Sequence, residues 1–345
     1  MFFDYLLINI IILILLNLIF FSNLDKLSLF LNIQDIPDLK RKIHTHSIPK
    51  IGGIILFAII FFFYLILFFF QKIELDLFLI IPLILVFITG CLDDKYDLNP
   101  ILKLFILLIF FYLFLFLNPE FIIRELKFNS FTFVLNLKFL AIPFTLLCFL
   151  LLINSINMID GINSLCAAVQ LAIILLLFVM PVTENLNFRE YLITHQNIIS
   201  FNLVYIICLF FFIIKNFQNK LFLGDGGAYF GSIILIVNIV YFYKNSIYLK
   251  SDQIFLLLCL PGIDMFRVFL VRIFNKKNPF KADKIHLHHL LLKRFSHVQI
   301  VIILILLILI PNIISIFFKN LTFESFIIFI LLYLFLVLKL NKKNV

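Results

Sequence analysis

The feature that most limits how this chain can fold is a succession of long apolar runs from its first residues to its last. Of its 345 residues, 64% are hydrophobic and only 14% carry charge. A soluble domain of this length would be far more polar, so a soluble globular fold is excluded. Apolar runs of about 20 residues match the thickness of a bilayer when they are helical. We therefore predict an all-α polytopic membrane protein.

Eleven apolar segments are long enough to be considered as transmembrane helices, although several are short for a full crossing. The gaps between them are too short for a soluble domain, so we expect a single integral-membrane domain over residues 1–345. The predicted spans are Tyr5–Phe21, Ile51–Phe70, Leu77–Leu92, Ile101–Leu117, Phe139–Ile153, Leu165–Pro181, Ile198–Ile214, Gly227–Tyr243, Ile254–Phe274, Val298–Phe318 and Phe326–Leu340.

The distribution of basic residues predicts how the chain is oriented. When the gaps between spans are numbered alternately, 20 of the 28 lysines and arginines lie in one set of gaps or in the spans beside it, and 8 lie in the other set. Because cytoplasmic loops are enriched in lysine and arginine, the richer set is assigned to the cytoplasm. The N-terminus is then outside and the C-terminus inside. Every polar motif discussed below falls on the cytoplasmic side.

The stretch NSINMIDGIN, residues 154–163, interrupts the apolar pattern between two predicted spans. Asn154, Asn157 and Asp160 are spaced by three residues, which places them on one face of a helix end. Gly161 lets the backbone turn and approach a ligand closely. A simple helix stop followed by an N-cap at Asn163 is the structural alternative. Polar groups at a membrane edge favour a binding site.

Two basic or acidic loops on the same side extend this pattern. The segment DIPDLKRKIHTHSIPKIGG, residues 35–53, is either an anchor for anionic lipid or a phosphate-binding loop. The segment GCLDDKYDLNPILK, residues 90–103, places Asp93 and Asp94 at a membrane edge, with Asp97 one helical turn from each and Lys103 beyond. A solvated loop with a helix cap before Pro100 is the alternative to a metal or acid–base centre.

The segment LFLGDGGAYFGS, residues 221–232, surrounds Asp225 with glycines at the start of a span. An ordinary N-cap is one interpretation. The other is an anion site at the helix N-terminus, where bare backbone amides meet phosphate and Asp225 holds Mg²⁺.

The last polar segment runs from Pro261 to Leu292 and contains the sequence HLHH at residues 286–289. Asp264 and Arg267 are three residues apart, which favours a local ion pair. The histidines lack the ligand spacing of a zinc site, and the neighbouring lysines suit a polyanionic phosphate better. Carboxylates, amides, glycine-bounded helix starts and basic loops together are the equipment for phosphoryl transfer at a membrane surface.

Taken together, these motifs resemble those of the polyprenyl-phosphate N-acetylhexosamine-1-phosphate transferases, known as glycosyltransferase family 4. The matching motifs, in order, are RKIHTHSIPKIGG, GCLDDKYDLNPILKL, NSINMIDGIN, FLGDGG and PGID…NPFKADKIHLHHLL. The HLHH form is similar to the branch that starts O-antigen, enterobacterial common antigen or teichoic acid linkage units. The resemblance implies a multi-pass enzyme of the bacterial inner membrane that uses Mg²⁺, with Mn²⁺ as an alternative ion.

The resemblance also implies partners. A UDP-N-acetylhexosamine, most simply UDP-GlcNAc, is the donor, undecaprenyl phosphate is the acceptor, and UMP is released. Membrane lipid surrounds the enzyme, no nucleic acid is involved, and a homodimer is compatible with the family.

Roles for individual residues follow from motif position. The catalytic group is expected to comprise Asp93, Asp94, Lys103, Asp160 and His289. Asp225 is the expected metal ligand, with Asn157 near or on the metal. The expected substrate-binding residues are Lys42, His44, Asn154, Gly161, Asn163, Gly224, Arg267, His286 and His288.

Three positions depart from the family pattern. Asn163 stands where the family usually has an aspartate, Ser164 where it usually has glycine, and Ala228 where serine is common. Because an amide carries no charge, Asn163 keeps open an inactive relative as an alternative function. A transporter or lipid flippase is the alternative from another class, favoured by Asp264 and Arg267 within an apolar run. Clustering of the acids on one side argues against it.

Overall fold

The chain is helical almost throughout. A computed structural model describes residues 5–35, 47–71, 77–182, 191, 194–245, 249–279 and 284–341. Its α-helices are α1 Leu6–Ser22, α2 Leu24–Leu31, α3 Gly52–Gln71, α4 Leu77–Tyr96, α5 Pro100–Leu117, α6 Ala141–Ile159, α7 Leu165–Val182, α8 Gln196–Phe217, α9 Gly224–Asn245, α10 Ser251–Leu257, α11 Cys259–Phe274, α12 Leu287–Leu291, α13 His297–Phe317 and α14 Thr322–Asn341. A helix satisfies its own backbone hydrogen bonds, which is what an apolar environment requires.

Two short antiparallel ribbons join some of the helices. Strand β1, Gln34–Asp35, pairs with β2, Ile48–Pro49, and Gln34 is opposite Pro49. Strand β3, Glu125–Lys127, pairs with β4, Val134–Asn136. Neither ribbon was expected from the apolar pattern, because each strand is only two or three residues long.

The chain forms two compact units, each made of two separate segments. The first comprises Met1–Asn118 and Phe188–Ile233, and the second comprises Pro119–Asn187 and Ile234–Val345. Helix α9 begins in the first unit and ends in the second. The prediction of one functional domain over 1–345 stays a prediction.

Within the first unit, α4 packs against α5, and α1, α3 and α8 pack against one another. Phenylalanines fill much of this core, and Phe63, Phe111 and Phe212 are fully buried. The start of α3 also approaches the loop before α9, where the amides of Gly52 and Gly53 donate to the carbonyls of Phe222 and Leu223, both at 2.9 Å.

Within the second unit, α6 packs against α11, α7 against α13, and α13 against α14. The short helix α12 lies against α14. The loop after β3 is held by the Asp252 carboxylate, which accepts hydrogen bonds from the amides of Asn129 and Ser130 at 2.8 and 3.0 Å.

The apolar helices confirm a multi-pass helical membrane protein. In the described part of the chain, seven helices are long and apolar enough to cross a membrane, and nine if each of two bent pairs forms one span. Each of the eleven predicted spans overlaps a helix. That all eleven cross the bilayer, with the N-terminus outside, stays a prediction.

The predicted span Ile254–Phe274 is not one straight helix. It breaks between α10 and α11 with a bend of 70°. Pro261 lies in the first turn of α11 and lacks the amide that would bond to the carbonyl of Leu257, the last residue of α10. The bend therefore has a local cause in the sequence.

Candidate active site

Three carboxylates and two lysines form a compact cluster in the first unit, which we call the acidic cluster. Asp93 and Asp94 lie at the end of α4, beyond its apolar part, and Asp225 lies in the first turn of α9. The Lys103 ammonium pairs with Asp93 and lies 3.5 Å from Asp225. The Lys50 ammonium lies 2.7 Å from Asp94 and 3.8 Å from Asp225. Two sequence motifs and Lys50, two residues before Gly52, thus meet at one place.

Asp94 joins α4 to the N-terminus of α9. Its Oδ1 accepts a hydrogen bond from the Asp225 amide at 2.8 Å, and its Oδ2 accepts one from the Gly226 amide at 2.9 Å. A carboxylate at a helix N-terminus satisfies unpaired amides and interacts favourably with the helix dipole. Asp94 is therefore an inter-helix cap, and these contacts favour a positioning role over the predicted catalytic one.

The glycines around Asp225 make room for neighbouring backbone. A Cβ at Gly90 would lie 2.8 Å from the Asp225 carbonyl oxygen, and one at Gly53 would meet the backbone of Gly227. Gly224 has φ +75°, and a Cβ there would lie 2.6 Å from Asp94 Oδ2. Such distances are too short for real side chains, so glycine is required for this packing.

This packing corrects one expectation. The amides at the start of α9 were predicted to bind phosphate, but those of Asp225 and Gly226 already bind Asp94. Gly224 lies against the Asp94 carboxylate, and its role in substrate binding stays a prediction. The anion at this helix N-terminus is therefore the protein's own side chain.

The end of α4 also differs in detail from the prediction. Asp97 was expected one turn beyond the two acids on the same helix, but α4 ends at Tyr96 and Asp97 has φ +51°. The alternative of a helix cap before Pro100 is confirmed, because Asn99 Oδ1 accepts a hydrogen bond from the Ile101 amide at 2.9 Å. Asp93 Oδ1 accepts from the Leu98 amide at 2.9 Å and so fixes this loop.

The electrostatics of the acidic cluster favour an additional positive charge. Burial, together with a hydrogen bond to Asp225 and the negative charge of that residue, raises the pKa of Asp93 to about 7 against the lowering effect of Lys103. Burial also raises the pKa of Asp94, against the lowering effect of Lys50. Three carboxylates face two ammonium groups, so the cluster can gain a proton or a cation.

The acidic cluster fits a cation that is bound mainly by substrate. In the described residues, no group of three or more acidic, histidine or cysteine side chains forms a ready-made metal cage. Mg²⁺ is commonly held by one or two carboxylates together with substrate phosphates, so no cage is required. The side chain of Asp225 is 23% exposed, against 6% for Asp93 and 5% for Asp94. Asp225 is thus the carboxylate with room for a ligand.

A second polar cluster lies in the second unit, where α6 ends and α12 begins. Asn154 and Asn157 lie in the last turns of α6, and Asp160 follows its last residue. The Asn154 side-chain amide donates to the Leu150 carbonyl at 2.7 Å, so this donor serves its own helix. The predicted helix stop is confirmed. Asn163 is half-buried between α6 and α7.

Gly161 brings the NSINMIDGIN turn against the histidines. A Cβ at Gly161 would meet His288 Nε2 and would lie 3.2 Å from His289 Nε2. Glycine is therefore required for contact with these rings, and its φ is not in the left-handed region. Ser164, in contrast, has φ +63° and is buried. This position is the one where the family usually has glycine, which explains the family preference by backbone conformation.

Asp264 holds the start of the segment Ile285–His289, which we call the histidine segment. Its Oδ2 lies 2.7 Å from His286 Nδ1, and its Oδ1 accepts hydrogen bonds from the Leu287 amide at 3.0 Å and from Arg267 at 2.9 Å. Tyr333 of α14 donates to the same Oδ1 at 2.6 Å. The predicted local ion pair of Asp264 and Arg267 is confirmed, and it belongs to a larger buried network.

His288 is more deeply buried than His286 in this segment. Among the described residues its Nε2 has no hydrogen-bond partner. Burial lowers its pKa to about 3, and the neighbouring rings of His289 and His286 contribute to the decrease. His288 is therefore neutral near pH 7, so it meets a ligand as a neutral imidazole.

Some predictions fall outside this geometry. Lys42 and His44 lie outside the described residues. The acidic cluster belongs to the first unit, and the second polar cluster, with the histidine segment, belongs to the second unit. That the two contribute to one site stays a prediction. Lys50 and Tyr333 were not in the predicted set. Lys50 was visible only as one of several basic residues, and Tyr333 as a polar group within an apolar span.

Comparison with known proteins agrees with the motifs and the site. The model of glycosyl transferase family 4 matches residues 76–243, which include Asp93, Asp94, Asp160 and Asp225. Over this range, just under half of the chain, the sequence is similar to glycosyl transferase family 4. The resemblance inferred from the five motifs is confirmed.

Several relatives extend the match beyond the family model. A Bacillus subtilis protein named "Probable undecaprenyl-phosphate N-acetylglucosaminyl 1-phosphate transferase" is 28% identical over 85% of this chain and 80% of its own length. Undecaprenyl-phosphate alpha-N-acetylglucosaminyl 1-phosphate transferases of Thermotoga maritima and Salmonella typhimurium are each 24% identical. They cover 79% and 78% of this chain and 77% and 71% of their own lengths. None of these relatives is named as a transporter.

Proposed function

We propose that the protein transfers N-acetylglucosamine 1-phosphate from UDP-GlcNAc to undecaprenyl phosphate and releases UMP. The observation that carries this proposal is the acidic cluster, in which the family motifs bring Asp93, Asp94 and Asp225 together with Lys50 and Lys103. Such a cluster suits a reaction that gathers three phosphate groups, because catalysis then consists mainly of positioning and charge neutralisation.

The proposed step is a single displacement. An oxygen of the lipid phosphate attacks the β-phosphorus of the UDP-sugar, a new P–O–P bond forms, and the bond from the β-phosphorus to the bridging oxygen breaks. UMP leaves with that oxygen and its electron pair. A phosphate monoester has its second pKa at about 6, so it is largely ionised near neutral pH and needs little help from a base.

The residues of the chain divide the work of positioning. Asp94 keeps α9 in place and so aims Asp225, while Asp93 holds the Lys103 ammonium near Asp225. Lys103 then offers a positive charge to a phosphate oxygen. His286, His288 and His289, with Asp160 and Asn163, are proposed to contact the diphosphate and the nucleoside. We assign no separate general base.

Mg²⁺ is proposed as the cofactor, with Mn²⁺ as an alternative. Asp225 would hold the ion, and Asn157 would assist by motif position. When bound, the ion supplies positive charge that neutralises the diphosphate. The proposal is supported by three carboxylates that converge in the described part of the chain, of which Asp225 is the most exposed.

We propose further that the protein lies in the bacterial inner membrane with eleven spans and with its N-terminus outside. The excess of lysine and arginine in one set of gaps supports this orientation. The clusters would then face the cytoplasm, where UDP-sugars are made, and the lipid product would start a cell-envelope glycan such as O-antigen.

The test is release of UMP by the purified protein. We expect release only when UDP-GlcNAc, undecaprenyl phosphate and Mg²⁺ are all present, and we expect loss when EDTA is added. A panel of UDP-N-acetylhexosamines against one lipid acceptor identifies the sugar. No release with any donor would overturn the proposal in favour of an inactive relative.

A variant pair makes this test specific to the acidic cluster. Asp225→Asn should lower the rate at least about 100-fold while the protein still folds, since it loses the negative charge proposed to hold the ion. Asp25→Asn is the matched control, because Asp25 is an exposed acid on α2 that is not a member of the acidic cluster. Near-normal rates in Asp225→Asn would remove the metal assignment.

A further inference from the structure

Tyr333 is a buried residue with a polar hydroxyl on α14, a helix whose other residues are mostly apolar. It lies in the apolar length of α14 and is fully buried. Its hydroxyl donates to Asp264 Oδ1 at 2.6 Å and accepts from Arg267 Nε at 2.5 Å. One hydroxyl therefore bridges an acid and a base that both come from α11, and it does so in an environment where an unpaired charge is costly.

The three side chains Asp264, Arg267 and Tyr333, which we call the Tyr333 triad, secure three consecutive residues of the histidine segment. Arg267 donates to the Ile285 carbonyl at 2.6 Å. Asp264 bonds to His286 Nδ1 at 2.7 Å and to the Leu287 amide at 3.0 Å. The entry to α12 is thereby attached to the triad at every residue from 285 to 287.

The Asp264–His286 contact determines which ring nitrogen of His286 can meet a ligand. A carboxylate at Nδ1 fixes the tautomer and the ring orientation, and it leaves Nε2 for a ligand. The His286 and His288 rings are nearly parallel, with centroids 5.5 Å apart, and His288 is 4.2 Å from His289. A change in the orientation of His286 is therefore transmitted to both other rings.

A purely structural interpretation explains the burial of Tyr333 but not its geometry. A phenylalanine would fill the same space without needing two partners. The hydroxyl instead donates to the oxygen that also receives Arg267 and the Leu287 amide. Removing it leaves a buried guanidinium without one acceptor and leaves the carboxylate to relax, so the orientation of the histidine segment should change first.

We propose that Tyr333 is a positioning residue for the sugar-phosphate transfer. Through Asp264 and Arg267 it keeps His286, and with it the following histidines, in one orientation toward the diphosphate of the donor. This inference rests on the proposed function. It adds the last helix of the chain to the parts on which turnover depends.

The experiment is a kinetic comparison of Tyr333→Phe with the wild type. We expect kcat/KM for the UDP-sugar to fall about tenfold, which corresponds to one hydrogen bond to a charged group. KM for undecaprenyl phosphate should stay unchanged, because the triad holds the histidine segment, which is proposed to contact the UDP-sugar. Tyr112→Phe is the matched control, since it removes a hydroxyl from a side chain that is 54% exposed on α5.

A double-mutant cycle with His286→Asn separates positioning from general stability. If Tyr333 acts through His286, adding Tyr333→Phe to His286→Asn should cost less than about twofold. Additive losses, or an equal loss with both substrates, would overturn the inference. Arg267→Gln breaks the same triad from α11 and serves as the second variant if Tyr333→Phe does not fold, with the same expected selectivity and non-additivity.

The two proposals fail in different ways. Absence of UMP release from the wild type with every donor would overturn the proposed function itself. An active wild type together with an unchanged Tyr333→Phe variant would overturn only the inference on Tyr333.

Discussion

Single residues in this protein do work that their type alone does not predict. The carboxylates Asp93, Asp94 and Asp225 could be selected from the sequence because they lie at membrane edges beside glycines. The separate role of each carboxylate could not be predicted from the sequence. Asp94 caps α9 through two amides 131 and 132 positions away, and a contact of that separation leaves no periodic signal. Tyr333 was missed because one tyrosine in an apolar span reads as core.

The lowered pKa of His288 makes the stability of the protein depend on pH. Its pKa falls to about 3 in the folded protein, mainly through burial, while the unfolded side chain titrates near 6.5. As pH falls below 6.5 the unfolded chain takes up a proton at His288 that the folded protein does not, so the contribution of His288 to stability decreases toward pH 3. Asp93, whose pKa is raised to about 7, takes up a proton in the folded protein over the same range and acts in the opposite direction. The contribution of His288 is therefore measured as a difference in the pH dependence of the melting temperature in detergent between the wild type and a variant without this ring.

The His288→Gln variant tests the assignment of this acid sensitivity. Its melting temperature can be lower at every pH, because a buried ring is lost, but on acidification from pH 6.5 to 4.5 it should fall less, or rise more, than that of the wild type. An identical slope in the two proteins would show that other groups cause the acid sensitivity.

At the level of elements, the helices follow from the sequence and the connections between them do not. Apolar length alone located a helix at each predicted span. The short helices α2 and α12 were not predicted, because five to eight residues carry too little periodicity to be recognised. The ribbons were not predicted either, because their strands have only two or three residues. The end of α11 shows how local chemistry sets such a boundary. Lys276 has φ +53°, and the amide of Lys277 donates to the Arg272 carbonyl at 2.8 Å.

Lys276→Gly should stabilise the protein. This helix end is a Schellman motif, in which the left-handed residue is usually glycine. A lysine pays about 1 kcal/mol for that conformation, so the substitution should raise the free energy of unfolding by about that amount. Thermal denaturation in detergent measures it.

Lys277→Gly is the matched control for this helix end. It removes the same charge one residue later, where the backbone is not left-handed, and so should be neutral or slightly destabilising. Equal shifts in both variants would attribute the effect to charge.

At the level of the whole molecule, the chain is organised by charge as much as by hydrophobicity. The two alternate sets of gaps hold 20 and 8 basic residues, and this imbalance predicts a cytoplasmic location for both polar clusters. The family match establishes the class of enzyme, but orientation is a property of this chain's own loops. It can be measured without activity.

Single cysteines test the orientation. Glu120→Cys and Lys293→Cys place thiols at exposed positions on opposite predicted sides. In intact cells, a membrane-impermeant maleimide should label the first and not the second, and both should be labelled after permeabilisation. Labelling of Lys293→Cys in intact cells would invert the proposed topology, and the five native cysteines provide the background to subtract.

The contacts of glycine around Asp225 have a consequence for which substitutions the protein tolerates. The chain contains only nine glycines, and six of them, at positions 52, 53, 90, 224, 226 and 227, lie where α3, α4 and α9 approach one another. Even alanine at Gly53 would force the backbones of α3 and α9 apart and so move Lys50 away from Asp225. Exchanges among apolar residues on the lipid-facing surface should therefore be tolerated, whereas any side chain at these six positions should disturb the acidic cluster.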